Sequence, residues 1–243
     1  MLKTAIVTGA SRGIGAAIAY KLASKGYSLS LCCSKRIEDL KNLSADIRDH
    51  FNVDVIYFQG DAGDFSFVSR MVEDTVNRFG HIDVLVNNAG ISHIGLFTDM
   101  GIDEWNKILS TNLTSVFAFC NQAVPYMISE KKGKILQISS VWGNVGASCE
   151  VAYSACKGGM NSLTKALGKE LAPSNIQVNA IACGVIDTEM NKCFTEDERI
   201  DLAREIPAGR FASPEEVAEL AYDIIKGNNY LTGQIITLDG GWT

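Results

Sequence analysis

The chain has 243 residues, of which 47% are hydrophobic and 21% charged, with only four prolines. That is ordinary globular composition with no disordered signature and enough length for a substantial core. A formal net charge of −6 excludes a surface built to neutralise nucleic-acid phosphates. The basic run Lys131, Lys132 and Lys134 is short and interrupted by Gly133, so it reads as a solvated loop or a docking spot for an acidic partner. The seven cysteines contain no C-x-x-C pair, and Gly and Arg interrupt the apolar N-terminal stretch where a secretory leader needs continuity. We therefore expect a cytoplasmic protein with reduced, mostly buried thiols. No segment has the uninterrupted apolar length of a membrane span.

In chain order, short β-branched apolar runs alternate with segments of helical period. The first strand is expected at Thr4–Val7, followed by a helix over Gly15–Lys25. Strands at Ser28–Cys33, Val53–Gln59 and Asp83–Asn87 alternate with helices at Ile37–Phe51 and Phe65–Phe79. A long helix is predicted over Ile102–Ile128, then a strand at Lys134–Ser139, a helix at Ala152–Leu171 and a strand at Ile176–Ala182. Helices at Thr195–Glu205 and Pro214–Lys226 precede a last strand at Gln234–Leu238. Ser213 before Pro214, Glu215 and Glu216 is a strong helix start. Strand–helix alternation of this kind predicts one α/β, doubly wound, Rossmann-type domain over residues 1–243, with a seven-stranded parallel sheet and helices on both faces.

Between the first strand and the first helix lies Thr8-Gly9-Ala10-Ser11-Arg12-Gly13-Ile14-Gly15. Glycines there permit a tight turn and let backbone N–H groups and the helix dipole approach a pyrophosphate. The spacing is G-x-x-x-G-x-G and not the general G-x-G-x-x-G fingerprint. At the end of the second strand, Ser34-Lys35-Arg36 offers a hydroxyl and two cations, with no acid before Glu38. An acid at that position commonly binds the ribose hydroxyls of NAD, and its absence beside positive charge suits a 2′-phosphate. Arg12 with Lys35 or Arg36 is therefore the expected clamp for NADP(H).

Tyr153 and Lys157 are four residues apart on a predicted helix, so both project from one face. A phenol is a poor acid or base at neutral pH unless a neighbouring ammonium stabilises its anion, which is the effect expected of Lys157. Ser140 stands where the fifth strand ends, at the edge of a parallel sheet where ligands bind. His50, His81 and His93 show no metal-ligand spacing. His93, just after Asn87-Asn88-Ala89-Gly90, is a candidate for the substrate mouth.

Taken together, TGASRGIG, Asp61 in QGDAGD, NNAG, Asn112, Ser140 in ISSVWG, Tyr153-x-x-x-Lys157 and Asp187-Thr188 resemble the classical short-chain dehydrogenase/reductases from Lys3 to Trp242. The resemblance implies NADPH-dependent interconversion of a ketone and a secondary alcohol. Ser140 would hydrogen-bond the carbonyl oxygen and Tyr153 deliver the proton, with Ser139 as the neighbouring alternative to Ser140. Lys157 would also hold the nicotinamide ribose, and Asn112 a water linking Lys157 to solvent. Gly9, Ser11, Arg12, Gly13, Ile14, Gly15, Ser34, Lys35, Arg36, Asp61, Ala62, Asn88, Ala89, Gly90, Ile186 and Thr188 would contact the cofactor, with Asp61 on the adenine and Thr188 on the carboxamide.

Within that family the chain is most similar to the 3-oxoacyl-acyl-carrier-protein reductases of fatty-acid synthesis. That likeness implies a homotetramer, possible presentation of substrate on acyl carrier protein, and Lys131 as a docking residue. Other reductases of sugars, polyols, steroids or quinones share the same motifs, and a silent nucleotide-binding sensor is the non-enzymatic alternative. A lid at about 189–209, with Met190, Phe194, Ile200 and Leu202, would suit an acyl chain or another modest apolar substrate. Two further features stand out: Ala182-Cys183-Gly184 replaces the family's usual Pro-Gly, and Cys149 is a candidate thiol in the substrate cleft.

Overall fold

The computed structural model describes residues 2–191 and 194–243. Seven parallel strands form one sheet: β1 (Thr4–Val7), β2 (Ser28–Cys33), β3 (Val55–Gln59), β4 (Val84–Asn87), β5 (Gly133–Ser140), β6 (Ile176–Cys183) and β7 (Ile235–Leu238). Their spatial order is β3-β2-β1-β4-β5-β6-β7, so the winding direction reverses between β1 and β4. Loops on either side of that reversal part at the carboxyl ends of the strands and leave a crevice there. Because crossover helices cover both faces, β1, β2, β4 and β6 are buried along their whole length.

The two faces divide the core. Ala5, Val7, Leu29 and Leu31 pack against α1 (Gly13–Ala23), α2 (Ile37–Phe51) and α9 (Pro214–Lys226) through Ile18, Leu22, Leu40, Ile47 and Ile224. Ile6, Leu85, Ile135 and Val178 face the opposite way. They meet α3 (Phe65–Phe79), α5 (Ser115–Glu130) and α7 (Val151–Leu171) through Met71, Phe119, Met127 and Met160. Alternation along β1, with Ile6 on one side and Ala5 and Val7 on the other, is the period-two geometry of a strand buried twice.

The long helix expected over 102–128 is present as one continuous helical run, but its winding changes part-way. It runs as α4 (Ile102–Leu109), a π-helical turn at Ser110–Thr114, and then α5. Asn112 is the cause that the geometry supplies: its Nδ2 donates to the carbonyl of Ile108 (3.0 Å) and to that of Ile91 (2.9 Å), while its Oδ1 accepts from Ile91 N–H (3.0 Å). The extra residue of the turn aims this amide at the segment after β4, and such turns are frequent at functional sites.

Most other boundaries shift by a residue or two. A short helix not foreseen, α6 (Trp142–Val145), follows β5, and the expected lid divides into a 3₁₀ turn at Glu189–Asn191 and α8 (Glu196–Glu205). Thr195 and Ser213 each cap the next helix with a reciprocal capping box, to Glu198 and Glu216. No described helix is long and apolar enough to cross a membrane.

Candidate active site

A cleft of about 1660 Å³ runs across the carboxyl edge of the sheet. Its inner end is a joint between the loops after β1 and β4. Asn88 Nδ2 donates to the carbonyls of Thr8 (2.9 Å) and Gly9 (3.1 Å), and the Thr8 hydroxyl accepts from the N–H groups of Asn88 and Ala89, both at 2.9 Å. Gly9 and Gly13 have φ of +64° and +54°, a region costly for side-chain-bearing residues. A Cβ on Gly9 would also stand 2.9 Å from the Ala89 Cα. Helix α1 then begins at Gly13 with no acidic residue in its first turn, leaving its positive end to an outside anion.

Most residues expected to bind a dinucleotide meet in this cleft. Gly9, Ser11, Arg12, Gly13 and Ile14 line it beneath α1; Ser34, Lys35 and Arg36 line it from the end of β2; Asp61 and Ala62 line it from the end of β3. Asn88, Ala89, Gly90, Ile186 and Thr188 complete that part of the wall. Gly15 is the exception. It does not reach the cleft, and a Cβ there would lie 2.4 Å from the Gly9 carbonyl oxygen and 2.5 Å from Asn88 Nδ2. Its glycine is required by packing of α1 on the turn, a correction to the contact expected from the motif. The backbone cradle, the helix end and the three basic side chains fit a dinucleotide bearing several phosphates.

Ser140, Tyr153 and Lys157 come together farther along the cleft. Ser140 Oγ accepts from Trp142 N–H (3.2 Å), and its hydroxyl also interacts with that of Tyr153. Ser139, one residue earlier, is committed elsewhere: its hydroxyl donates to Asn161 Oδ1 at 2.6 Å. Lys157 Nζ donates to the Ile138 carbonyl (2.7 Å) and lies 5.5 Å from the centre of the Tyr153 ring.

The electrostatics differ from the sequence expectation. Burial raises the Tyr153 phenol well above its ordinary range; nearby Cys183 and Glu150 reinforce the rise, and Ser140 opposes it. Burial also pulls Lys157 down to about 8. Desolvation penalises both charged forms and here outweighs any attraction between ammonium and phenolate. A phenol is neutral at pH 7 in any case, so Tyr153 has a proton to give, and the rise makes it a weaker acid than a phenol in water.

Asn112 is fully buried and does not line the cleft. It acts on the wall from behind, holding Ile91 by two hydrogen bonds. His93 is not among the residues lining the cleft and pairs through Nδ1 with Glu104 (2.7 Å). Cys149 has φ +63° and is partly exposed, but it is not among the residues lining the cleft. The other described cysteines are buried, and Cys193 lies outside the described residues. Cys183, where the family usually has proline, sits close to Tyr153 and Lys157, and burial pushes its thiol up to about 12. Lys131 follows α5 at the start of β5. Ser140 is at the other end of that eight-residue strand, about 25 Å away.

Sequence reasoning passed over Trp142, Glu150 and Trp242, which line the outer cleft together with Met190, Phe194 and Leu202. The two indoles are 5.0 Å apart between ring centres although exactly one hundred residues separate them in the chain. Spacing gave a hint only for Glu150, which precedes Tyr153 by three residues.

A parallel sheet with a glycine turn at its reversal point, and a serine, tyrosine and lysine gathered at the same edge, defines an oxidoreductase built around a dinucleotide site. The chain belongs to the short chain dehydrogenase family, which matches residues 3–199 and binds a nicotinamide cofactor. It is 40% identical over 243 residues to the uncharacterized oxidoreductase YmfI of Bacillus subtilis, covering 100% of this chain and 99% of that one. It is 38% identical to the 3-oxoacyl-[acyl-carrier-protein] reductase FabG of Staphylococcus aureus, covering 99% and 98% of the two chains. Among solved structures, a variant of actinorhodin polyketide ketoreductase with NADPH superposes with a TM-score of 0.94 at 32% identity, covering 99% of this chain and 97% of that one.

Proposed function

We propose that the protein reduces a ketone to a secondary alcohol with NADPH, and that its substrate is a 3-oxoacyl thioester, carried on acyl carrier protein in fatty-acid synthesis. The observation that carries this reading is the meeting of Ser140, Tyr153 and Lys157 in the same cleft as the Arg12, Lys35 and Arg36 cluster. When bound, the nicotinamide supplies hydride to the carbonyl carbon. Ser140 donates a hydrogen bond to the carbonyl oxygen, and the Tyr153 phenol gives that oxygen its proton. Lys157, fixed against the Ile138 carbonyl beneath the Tyr153 ring, holds the nicotinamide ribose and supports the phenolate left after transfer.

The relatives named FabG and the ketoreductase with NADPH support both the direction and the cofactor. A 2′-phosphate matches the two guanidinium groups and the absence of an acid at the end of β2. The apolar outer chamber of Trp142, Trp242, Phe194 and Leu202 matches an acyl chain. Exposed Phe117, Tyr126 and Ile128 on α5 favour a homo-oligomer, which the family likeness extends to a tetramer. The compact domain, with buried thiols, suits the cytoplasm.

The test is oxidation of NADPH and of NADH with a short 3-oxoacyl thioester. NADPH is expected to give the higher kcat/KM, and Tyr153→Phe to lower turnover by about 10² to 10⁴ while NADPH still binds. Near-normal turnover in folded Tyr153→Phe would defeat the mechanism, and an NADH preference would defeat the cofactor assignment.

A further inference from the structure

We propose that Glu189 is a specificity-determining residue: its carboxylate is an internal anion that occupies the arginine clamp and competes with the cofactor's 2′-phosphate. The inference rests on the NADPH reading above, because it takes Arg12 and Arg36 as the phosphate's partners.

Glu189 follows Thr188 immediately and opens the 3₁₀ turn after β6. It reaches back across the cleft to both arginines that approach from the other side of the sheet reversal. Arg36 Nη2 lies 2.8 Å from its Oε2 and Arg36 Nη1 lies 3.4 Å from its Oε1, while Arg12 Nη1 pairs with the same Oε2. One carboxylate oxygen is thus shared by two guanidiniums from different loops. The guanidiniums are close enough that, after burial, the charge of Arg36 is the main influence lowering the pKa of Arg12. Two cations held so near each other form a seat for an anion, and here the chain fills it with its own.

The three side chains are 49%, 47% and 32% exposed, so the pairing is reached by water and weakly held. A phosphate monoester brings more charge and three acceptor oxygens to the same seat, and it displaces the carboxylate. NADH has no such group and leaves Glu189 in place. Glu189 therefore lowers NADPH affinity and narrows the gap between the two cofactors. Thr188, the residue before Glu189, lies against the glycine turn: its Cγ2 is 3.3 Å from where a Cβ on Gly13 would stand.

The experiment is calorimetric titration of full-length wild type and Glu189→Gln with 2′,5′-ADP, which carries the phosphate, and with 5′-AMP, which lacks it. Asp39→Asn is the control, since Asp39 is another carboxylate beside Arg36, at 3.4 Å. Glu189→Gln is expected to tighten 2′,5′-ADP about three- to tenfold, leaving 5′-AMP within about twofold, and to exceed the gain in Asp39→Asn clearly. Unchanged affinity in a wild type that favours 2′,5′-ADP overturns the competition and leaves the NADPH reading intact. Weaker binding overturns it by making Glu189 a support of the clamp, and an equal gain in Asp39→Asn overturns it by reducing the effect to general charge. Equal affinities for the two ligands in wild type, with no gain in the variant, overturn the NADPH reading and the competition together.

Discussion

Beneath β1 and β4 the wall of the cleft is largely backbone: two left-handed glycines, a shared threonine hydroxyl, and an asparagine amide bonded to two carbonyls. Beyond β5 and β6 it consists of side chains from loops and short helices: Trp142, Glu150, Met190, Phe194 and Trp242. The first region has almost no freedom, since a methyl group at Gly9 or Gly15 would strike main-chain atoms. The second can change residue by residue without disturbing the sheet. A common cofactor and diverse substrates are the expected outcome of that division.

The floor between the two regions offers the largest effect. Lys157 has its pKa pulled from an ordinary 10.5 down to about 8, so its protonation is penalised in the folded state. The stability linked to this group is complete above the unfolded value and is lost as pH falls through about 8. The thiols of Cys32, Cys120 and Cys183 and the Tyr153 phenol, whose pKa values burial raises, lose stability over the same range, so the lysine is read as a difference. Relative to Lys157→Met, wild type should gain on the order of 3 kcal/mol as pH rises from 8 to 10.5, measured by denaturant unfolding. Parallel pH profiles would show that the lysine is not desolvated.

Gly15→Ala sharpens the backbone side of the comparison. Crowding against the Gly9 carbonyl and Asn88 should cost about 1 to 3 kcal/mol and lower Tm by roughly 2 to 10 °C, partly offset by alanine's better helix propensity. An unchanged Tm would mean that the turn yields more readily than its contacts imply. Trp242→Ala should have the smallest effect on folding, within about 1 kcal/mol, because the ring packs on Trp142 at the rim and not in the core. Its signature should be kinetic, with a changed KM for the carbonyl substrate and unchanged NADPH affinity. A loss of NADPH binding would show that the two regions are not separable.

The amino-acid sequence by itself determined the alternation of strands and helices, the glycine turn after β1, and the spacing of Tyr153 and Lys157. Each is a local property: strand burial writes continuous apolar runs, a left-handed turn demands glycine, and residues four apart share a helix face. Only the tertiary structure decided the rest. It showed that Gly15 serves packing, that Asn112 grips Ile91 from a π-helical turn, and that His93 pairs with Glu104. It also reversed the expected electrostatics of Tyr153, because desolvation depends on everything packed around a group and not on one neighbour's charge. Glu189 meets Arg12 and Arg36 across more than 150 residues of chain, and no local pattern records a contact that exists only because β1, β2 and β6 end at the same edge of one sheet.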